Sequence, residues 1–143
     1  MSTSLDALFP CSVDTAEQMV KFGESLAPFF KEGDIIALVG DLGAGKTHLT
    51  KGFAQYFNYS DNVTSPTFGL IHEYQGTPII HADLYRLDRP EELLSIGWDD
   101  YLERDAILII EWADRFPELM PDGTHWIQLE HTKKGRTLTY VQH

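Results

Sequence analysis

The passage from Ile35 to Phe57 constrains this chain most. Ile35-Ile36-Ala37-Leu38-Val39 is an unbroken apolar run rich in β-branched residues. Its length and lack of alternation predict a strand covered on both faces, as in a parallel sheet. Gly40-Asp41-Leu42-Gly43-Ala44-Gly45-Lys46-Thr47 follows directly and fits G-x-x-x-x-G-K-[ST]. Leu49, Phe53, Ala54 and Phe57 then recur at helical spacing, which predicts a helix from Thr47 to Phe57. A glycine-rich loop between a buried strand and a helix start turns backbone N–H groups inward, admits a ligand close to the backbone and aims the helix dipole at it. That geometry suits a polyphosphate. Asp41, Leu42, Gly43, Ala44, Gly45, Lys46 and Thr47 form the candidate cradle for a nucleotide, with Lys46 as a point charge on the β- and γ-phosphates and the Thr47 hydroxyl as a ligand of Mg²⁺. The competing reading, a glycine-rich turn with an exposed lysine, sits poorly with the strand-loop-helix setting.

Two acidic residues end apolar stretches. Asp83 follows Pro78-Ile79-Ile80-His81-Ala82, and Glu111 follows Ala106-Ile107-Leu108-Ile109-Ile110. Open α/β sheets bind ligands at the carboxyl ends of their strands, and Mg²⁺ takes oxygen ligands, commonly one or two carboxylates. Taken singly, either residue is equally well explained as the cap of the next turn. Beside a phosphate loop, at least one is expected to serve the metal. Ser65-Pro66-Thr67-Phe68 lies after the glycine-loop helix and fits two readings: a loop that senses the γ-phosphate through Thr67, or a turn that opens the next strand.

The rest of the chain fills in the architecture. Residues 14 to 30 are expected to form an amphipathic helix, with Asp14 as cap, Glu17 completing a capping box and Gly33 closing it. Thr67 to Tyr74 and Thr77 to Ala82 are expected as strands around Gln75-Gly76. Pro90 opens a helix, and Trp126 to Leu129 pairs with Leu138 to Val141 across Lys134-Gly135-Arg136. Buried strands mixed with helices predict an α/β three-layer sandwich of the P-loop NTPase kind, its central sheet mostly parallel with an antiparallel portion. At 143 residues, 1–143 is expected to be one domain.

Charge narrows the function classes. Eleven basic against 22 acidic residues leave a net charge of −11, which argues against broad adhesion to nucleic acid or anionic membrane. No apolar run approaches the ~20 residues of a membrane helix, the first residues lack the features of a signal peptide, and the one cysteine, Cys11, fits a reducing compartment. A soluble cytoplasmic protein is expected. None of the six histidines stands in a zinc-binding context. Trp112 fits core packing or a site wall, and position alone favours packing; Lys133, Lys134 and Arg136 form a basic cluster for which a solvated hairpin tip is the default over a phosphate or partner contact.

With these residues placed, the sequence resembles the TsaE (YjeE) family, bacterial ATPases of tRNA threonylcarbamoyladenosine (t6A) synthesis. The resemblance rests on the loop from Gly40 to Thr47, Ser65-Pro66-Thr67-Phe68, His81-Ala82-Asp83-Leu84-Tyr85-Arg86-Leu87, Pro90-Glu91-Glu92-Leu93 and Ile110-Glu111-Trp112, and spans about residues 14 to 136. It implies ATP as substrate, Mg²⁺ held by Thr47 and Glu111, Asp83 as the Walker B-like residue, Thr67 in a switch-like loop and Arg136 as a nucleotide contact. It further implies TsaB and TsaD as partners, with tRNA reached only through them. His48 departs from the serine or threonine common at that position. A small-molecule P-loop kinase is the rival, but it needs arginines in a lid, and no Lys or Arg lies between Lys51 and Asp83. A nucleotide-gated binding module is a third reading that the residues do not separate from an ATPase.

Overall fold

The structure, a computed structural model, describes residues 5–40, 45–59, 71–133 and 135–142. Among them seven strands form one sheet: β1 (Cys11–Val13), β2 (Ile35–Val39), β3 (Ile71–Glu73), β4 (Ile79–Asp83), β5 (Ile107–Glu111), β6 (His125–Thr132) and β7 (Gly135–Gln142). Their order across the sheet is β1-β7-β6-β2-β5-β4-β3. The four central strands run parallel, with β2 between β6 and β5, and β4 beyond β5. The pairings β1–β7, β6–β7 and β3–β4 are antiparallel. The expectation of a mostly parallel sheet therefore holds for the centre alone. The edges are hairpins or return strands that need no helical crossover.

Strand periodicity splits the core in two. Ile36, Leu38, Ile79, Ile107, Ile109, Ile127 and Leu129 project to one face, where α1 (Ala16–Leu26) and α2 (Lys46–Tyr56) cover them with Met19, Phe22, Leu26, Leu49 and Phe53. Ile35, Ala37, Ile80, Ala82, Leu108 and Ile110 project to the other. There they meet Leu93 of α3 (Pro90–Ser95), Trp98 of α4 (Trp98–Leu102) and Phe116. β2 and β5 carry apolar side chains on both faces because both faces are covered, so their sequences show no alternation. The architecture is α/β, a sheet between two helical layers. No described helix is long and apolar enough to cross a membrane.

The first helix departs from expectation at both ends. Its cap is Thr15, whose hydroxyl accepts the Gln18 N–H at 3.1 Å, while the Gln18 side-chain oxygen accepts the Asp14 N–H at 2.5 Å. The cap is thus one residue later than Asp14 suggests, and the side chain that reaches back is Gln18, to the Asp14 N–H, instead of Glu17. At the other end the chain tightens into a 3₁₀ turn over Ala27–Phe29, because Pro28 has no N–H to continue the α-helical ladder. The second helix begins and ends within a residue of its expected bounds.

The two helices meet backbone to backbone. A Cβ on Gly52 would lie 2.0 Å from the Val20 carbonyl oxygen and 2.9 Å from the Gly23 Cα. A Cβ on Gly23 would lie 2.3 Å from the Leu49 carbonyl oxygen. The neighbours are backbone, so no rotamer change relieves the contact. Alanine in place of an exposed helical glycine stabilises by about 1 kcal/mol; here the sign is expected to reverse. Gly52→Ala should lose about 1–3 kcal/mol, as overpacked cores do, read from the urea midpoint, whereas Gln55→Ala on the exposed side of the same helix should stay within about 0.5 kcal/mol. A more stable Gly52→Ala protein would contradict the close approach.

Candidate functional site

β2, β4 and β5 are parallel, so their carboxyl ends lie along one edge of the sheet, with Asp83 in register with Glu111 and Glu111 with Leu38. Asp83 follows Ile79 and His81 by steps of two, and Glu111 follows Ile107 and Ile109 likewise. Both carboxylates therefore emerge on the face covered by α1 and α2. α2 begins at the same edge. Its cap is Gly45 in the left-handed region (φ 101°), where a Cβ would lie 2.8 Å from the Met19 Cε. Glycine satisfies both the backbone angle and the contact with α1.

These parts enclose a cleft of about 320 Å³ lined by Thr15, Ala16, Met19, Gly45, Lys46, Thr47, His48, Asp83, Tyr85, Glu111, Trp112 and Arg136. Lys46 is buried, its Nζ donating to the Gly40 carbonyl at 2.7 Å and lying 4.0 Å from the centre of the Trp112 ring. Trp112 stands in the left-handed region (φ 63°), an uncommon conformation for a bulky residue, and its N–H donates to the Leu38 carbonyl at 3.3 Å. The turn swings the indole from the end of β5 across the cleft, where it also meets the Tyr85 ring at 5.0 Å. Trp112 thus packs and forms a site wall at once, taking both of the roles that its position after Glu111 leaves open. Arg136 sits in β7, not at the hairpin tip, opposite Val13 of β1 and His131 of β6, and borders the cleft beside Gly45.

The carboxylates differ in surroundings. Glu111 is 3% exposed, and His81, fully buried, meets its Oε2 through Nε2 at 2.5 Å. The other ring nitrogen, Nδ1, faces the buried Tyr74 hydroxyl at 2.8 Å. A carboxylate only accepts, so Nε2 donates to Glu111, and the Tyr74 hydroxyl pairs with the ring's other nitrogen. Burial, with smaller contributions from Tyr59 and Glu111, pushes the Tyr74 hydroxyl well above its ordinary range, which keeps that proton in place. Asp83 is half-buried and accepts the Tyr85 N–H at 3.0 Å. Its carboxyl lies above its ordinary range, chiefly through burial; Glu111 adds to the rise, while the Tyr85 N–H, His81 and Lys46 oppose it.

The structure brings together Gly45, Lys46, Thr47, Asp83, Glu111 and Arg136 at one cleft. Asp41, Leu42, Gly43, Ala44 and Thr67 lie outside the described residues, as do Ser65, Pro66 and Lys134. Tyr74 and His81 are not singled out by sequence reasoning, while Trp112 takes both of the roles open to it, packing and site wall. His81 had a signal: it stands two residues before Asp83, on the same face of the strand. The oxygens of Thr47, Asp83 and Glu111 are hard donors of the kind Mg²⁺ takes. No group of three or more His, Cys, Asp or Glu among the described residues is gathered as a metal site by itself. A cation here would complete its shell with phosphate and water oxygens, as Mg²⁺ commonly does.

The raised Asp83 carboxyl has a consequence for stability. The native state binds this proton more tightly than the unfolded chain does, so stability is gained as the pH falls through the acidic range and lost as it rises past the native pKa. At neutral pH the ionised group carries its full cost. Asp83→Asn keeps an oxygen for the Tyr85 N–H and removes the charge. It should unfold at the same or a higher temperature than the parent at pH 7, the difference shrinking as acid protonates Asp83 in the parent. A variant less stable at pH 7 would contradict this.

Comparison with known proteins gives the family. Over residues 13–138 the chain matches the family described as Threonylcarbamoyl adenosine biosynthesis protein TsaE. It is 36% identical over 130 residues to tRNA threonylcarbamoyladenosine biosynthesis protein TsaE of Haemophilus influenzae, covering 86% of this chain and 82% of that one. It is 39% identical over 107 residues to the protein of the same name from Bacillus subtilis, covering 73% of this chain and 66% of that one. Among solved structures, that of YdiB of Bacillus subtilis superposes with a TM-score of 0.75 at 30% identity, over 92% of this chain and 83% of that chain. With 126 consecutive residues matched and the same fold in a solved relative, the chain belongs to the TsaE family of threonylcarbamoyl adenosine biosynthesis proteins.

Proposed function

We propose that this chain is the ATP-hydrolysing, Mg²⁺-dependent P-loop component of t6A modification, a single domain that acts in the cytoplasm with TsaB and TsaD. The observation that carries the reading is the convergence of Lys46, Thr47, Asp83 and Glu111 on one cleft at the carboxyl edge of the parallel strands. Lys46 leads α2, where a helix start and a lysine together favour a phosphate. Residues 41–47 cradle the phosphates and Arg136 contacts the nucleotide from β7.

Thr47 and Glu111 would hold the Mg²⁺, which when bound supplies charge neutralisation for the β- and γ-phosphate oxygens. Lys46 stabilises the charge that grows on the bridging and γ-oxygens. Glu111 and Asp83 orient the attacking water, and Thr67 is assigned a contact near the γ-phosphate. Trp112 closes one side of the cleft over Lys46 and limits its exposure to water, which strengthens the local electrostatics. With a net charge of −11, the chain is poorly suited to hold tRNA alone, so tRNA contact falls to its partners. Hydrolysis then resets the complex instead of driving the carbamoyl transfer.

Steady-state ATP turnover, with and without purified TsaB–TsaD, tests this. The chain alone should be slow and the pair should raise its turnover, while small-molecule acceptors should not. Lys46→Ala should weaken nucleotide binding and abolish turnover without unfolding. Glu111→Gln should lower turnover by about 10²–10³, the loss typical of removing one preorganised electrostatic contact, with a smaller effect on nucleotide affinity. Thr67→Ala should keep binding and lose the stimulated part. The assignment fails if the partners leave turnover unchanged and tRNA modification runs through many cycles without this chain.

A further inference from the structure

A polar chain runs through the core behind the cleft. His81 lies in the middle of β4, fully buried between Ile79 and Asp83 on the face packed against α1 and α2. An apolar residue at that position would pack as its neighbours do. Instead the side chain is an imidazole whose two nitrogens are both engaged, one by the Glu111 carboxylate at 2.5 Å and one by the Tyr74 hydroxyl at 2.8 Å. Tyr74 is itself 1% exposed and its ring stacks on Tyr59 at 5.0 Å between centres. Among the described residues no buried side-chain nitrogen or oxygen lacks a partner, so this chain is fully satisfied.

We propose that His81 is a positioning residue for Glu111, its Nε2–H tying one oxygen of a carboxylate that lines the nucleotide cleft, with the Tyr74 hydroxyl fixing the ring through its other nitrogen. A glutamate has three side-chain torsions, and a carboxylate aimed at a cation through that many bonds needs an anchor. Diagonal placement supplies it: Asp83 is the register partner of Glu111, and His81 is two residues earlier on the same face. Groups that orient metal ligands typically change metal affinity or activity by about 10–100-fold when removed.

The inference rests on the metal role proposed for Glu111, and the experiment separates the two. Mn²⁺ binding is measured by electron paramagnetic resonance with a non-hydrolysable ATP analogue in excess, beside analogue affinity without metal. His81→Leu should weaken Mn²⁺ binding by about 10–100-fold and leave the metal-free affinity unchanged, because the phosphate cradle is intact. His81→Gln, whose amide N–H can replace Nε2–H, should recover most of the loss. Tyr74→Phe, which keeps the ring and removes only the hydroxyl, should show a smaller weakening in the same direction. It decides the matter if His81→Leu does not fold. The inference is overturned if a folded His81→Leu protein binds Mn²⁺ like the parent, if His81→Gln is as impaired as His81→Leu, or if Tyr74→Phe leaves binding unchanged. Glu111→Gln supplies the control. If it too binds Mn²⁺ normally, the metal reading of the site fails and the inference goes with it; if it alone is impaired, only the role of His81 fails.

Discussion

A carboxylate that is 3% exposed has to be compensated where it stands, and much of this molecule is arranged around that requirement at Glu111. Burying an unpaired ion costs several kcal/mol even after the protein relaxes. β5 offers nothing to offset it, since the four residues before Glu111 in the strand are apolar. The compensation comes from next door, through the His81 N–H. His81 in turn requires Tyr74, which reaches it from just beyond β3, where the chain turns into β4. The β3–β4 hairpin is therefore part of the site as much as of the sheet edge. A one-residue slip in the pairing of β4 with β5 would turn His81 and Asp83 to the opposite face and leave Glu111 alone.

The opposite wall depends on how closely two helices approach. Gly23 and Gly52 bring the backbones of α1 and α2 together, and Met19 of α1 lies under Gly45 at the start of α2. A larger residue at Gly23 or Gly52 would meet backbone and shift α2, and with it Lys46 and Thr47, relative to carboxylates held by the sheet. Geometry of this kind matters because displacement of a reacting group by about 1 Å can cost two orders of magnitude in rate. The cleft thus joins one rigid body, the parallel strands, to another, the glycine-packed helix pair.

What was legible in the sequence follows from how local each signal is. The strand from Ile35 to Val39, the helix after the glycine loop and the strand ending at Glu111 are encoded in contiguous composition, and each is observed close to its expected bounds. The boundary at Pro28 and the cap at Thr15 were misplaced because neighbouring residues compete for the same roles there: Asp14 and Thr15 are both good caps, and only the folded backbone selects between them. β1, three residues long, carries no pattern of its own and exists because β7 offers an edge. At the site, Lys46, Thr47, Asp83 and Glu111 follow from motif and strand position. His81 and Tyr74 do not, because they meet across strands; for Trp112 the sequence leaves packing and site wall both open, since its placement depends on a left-handed turn that no indole favours locally. Arg136 lies in the only basic cluster, and it is the β1–β7 pairing that carries it to the cleft.

Where a triphosphate and its cation sit decides the role of this cleft. A crystal structure of this chain with Mg²⁺ and a non-hydrolysable ATP analogue should place the β- and γ-phosphates over the start of α2, with Lys46 turned from the Gly40 carbonyl to the phosphates. The cation should lie between the Thr47 hydroxyl and the Glu111 carboxylate. A nucleotide bound elsewhere, or a cation that Glu111 does not reach directly or through one water, would contradict the assignment of this cleft.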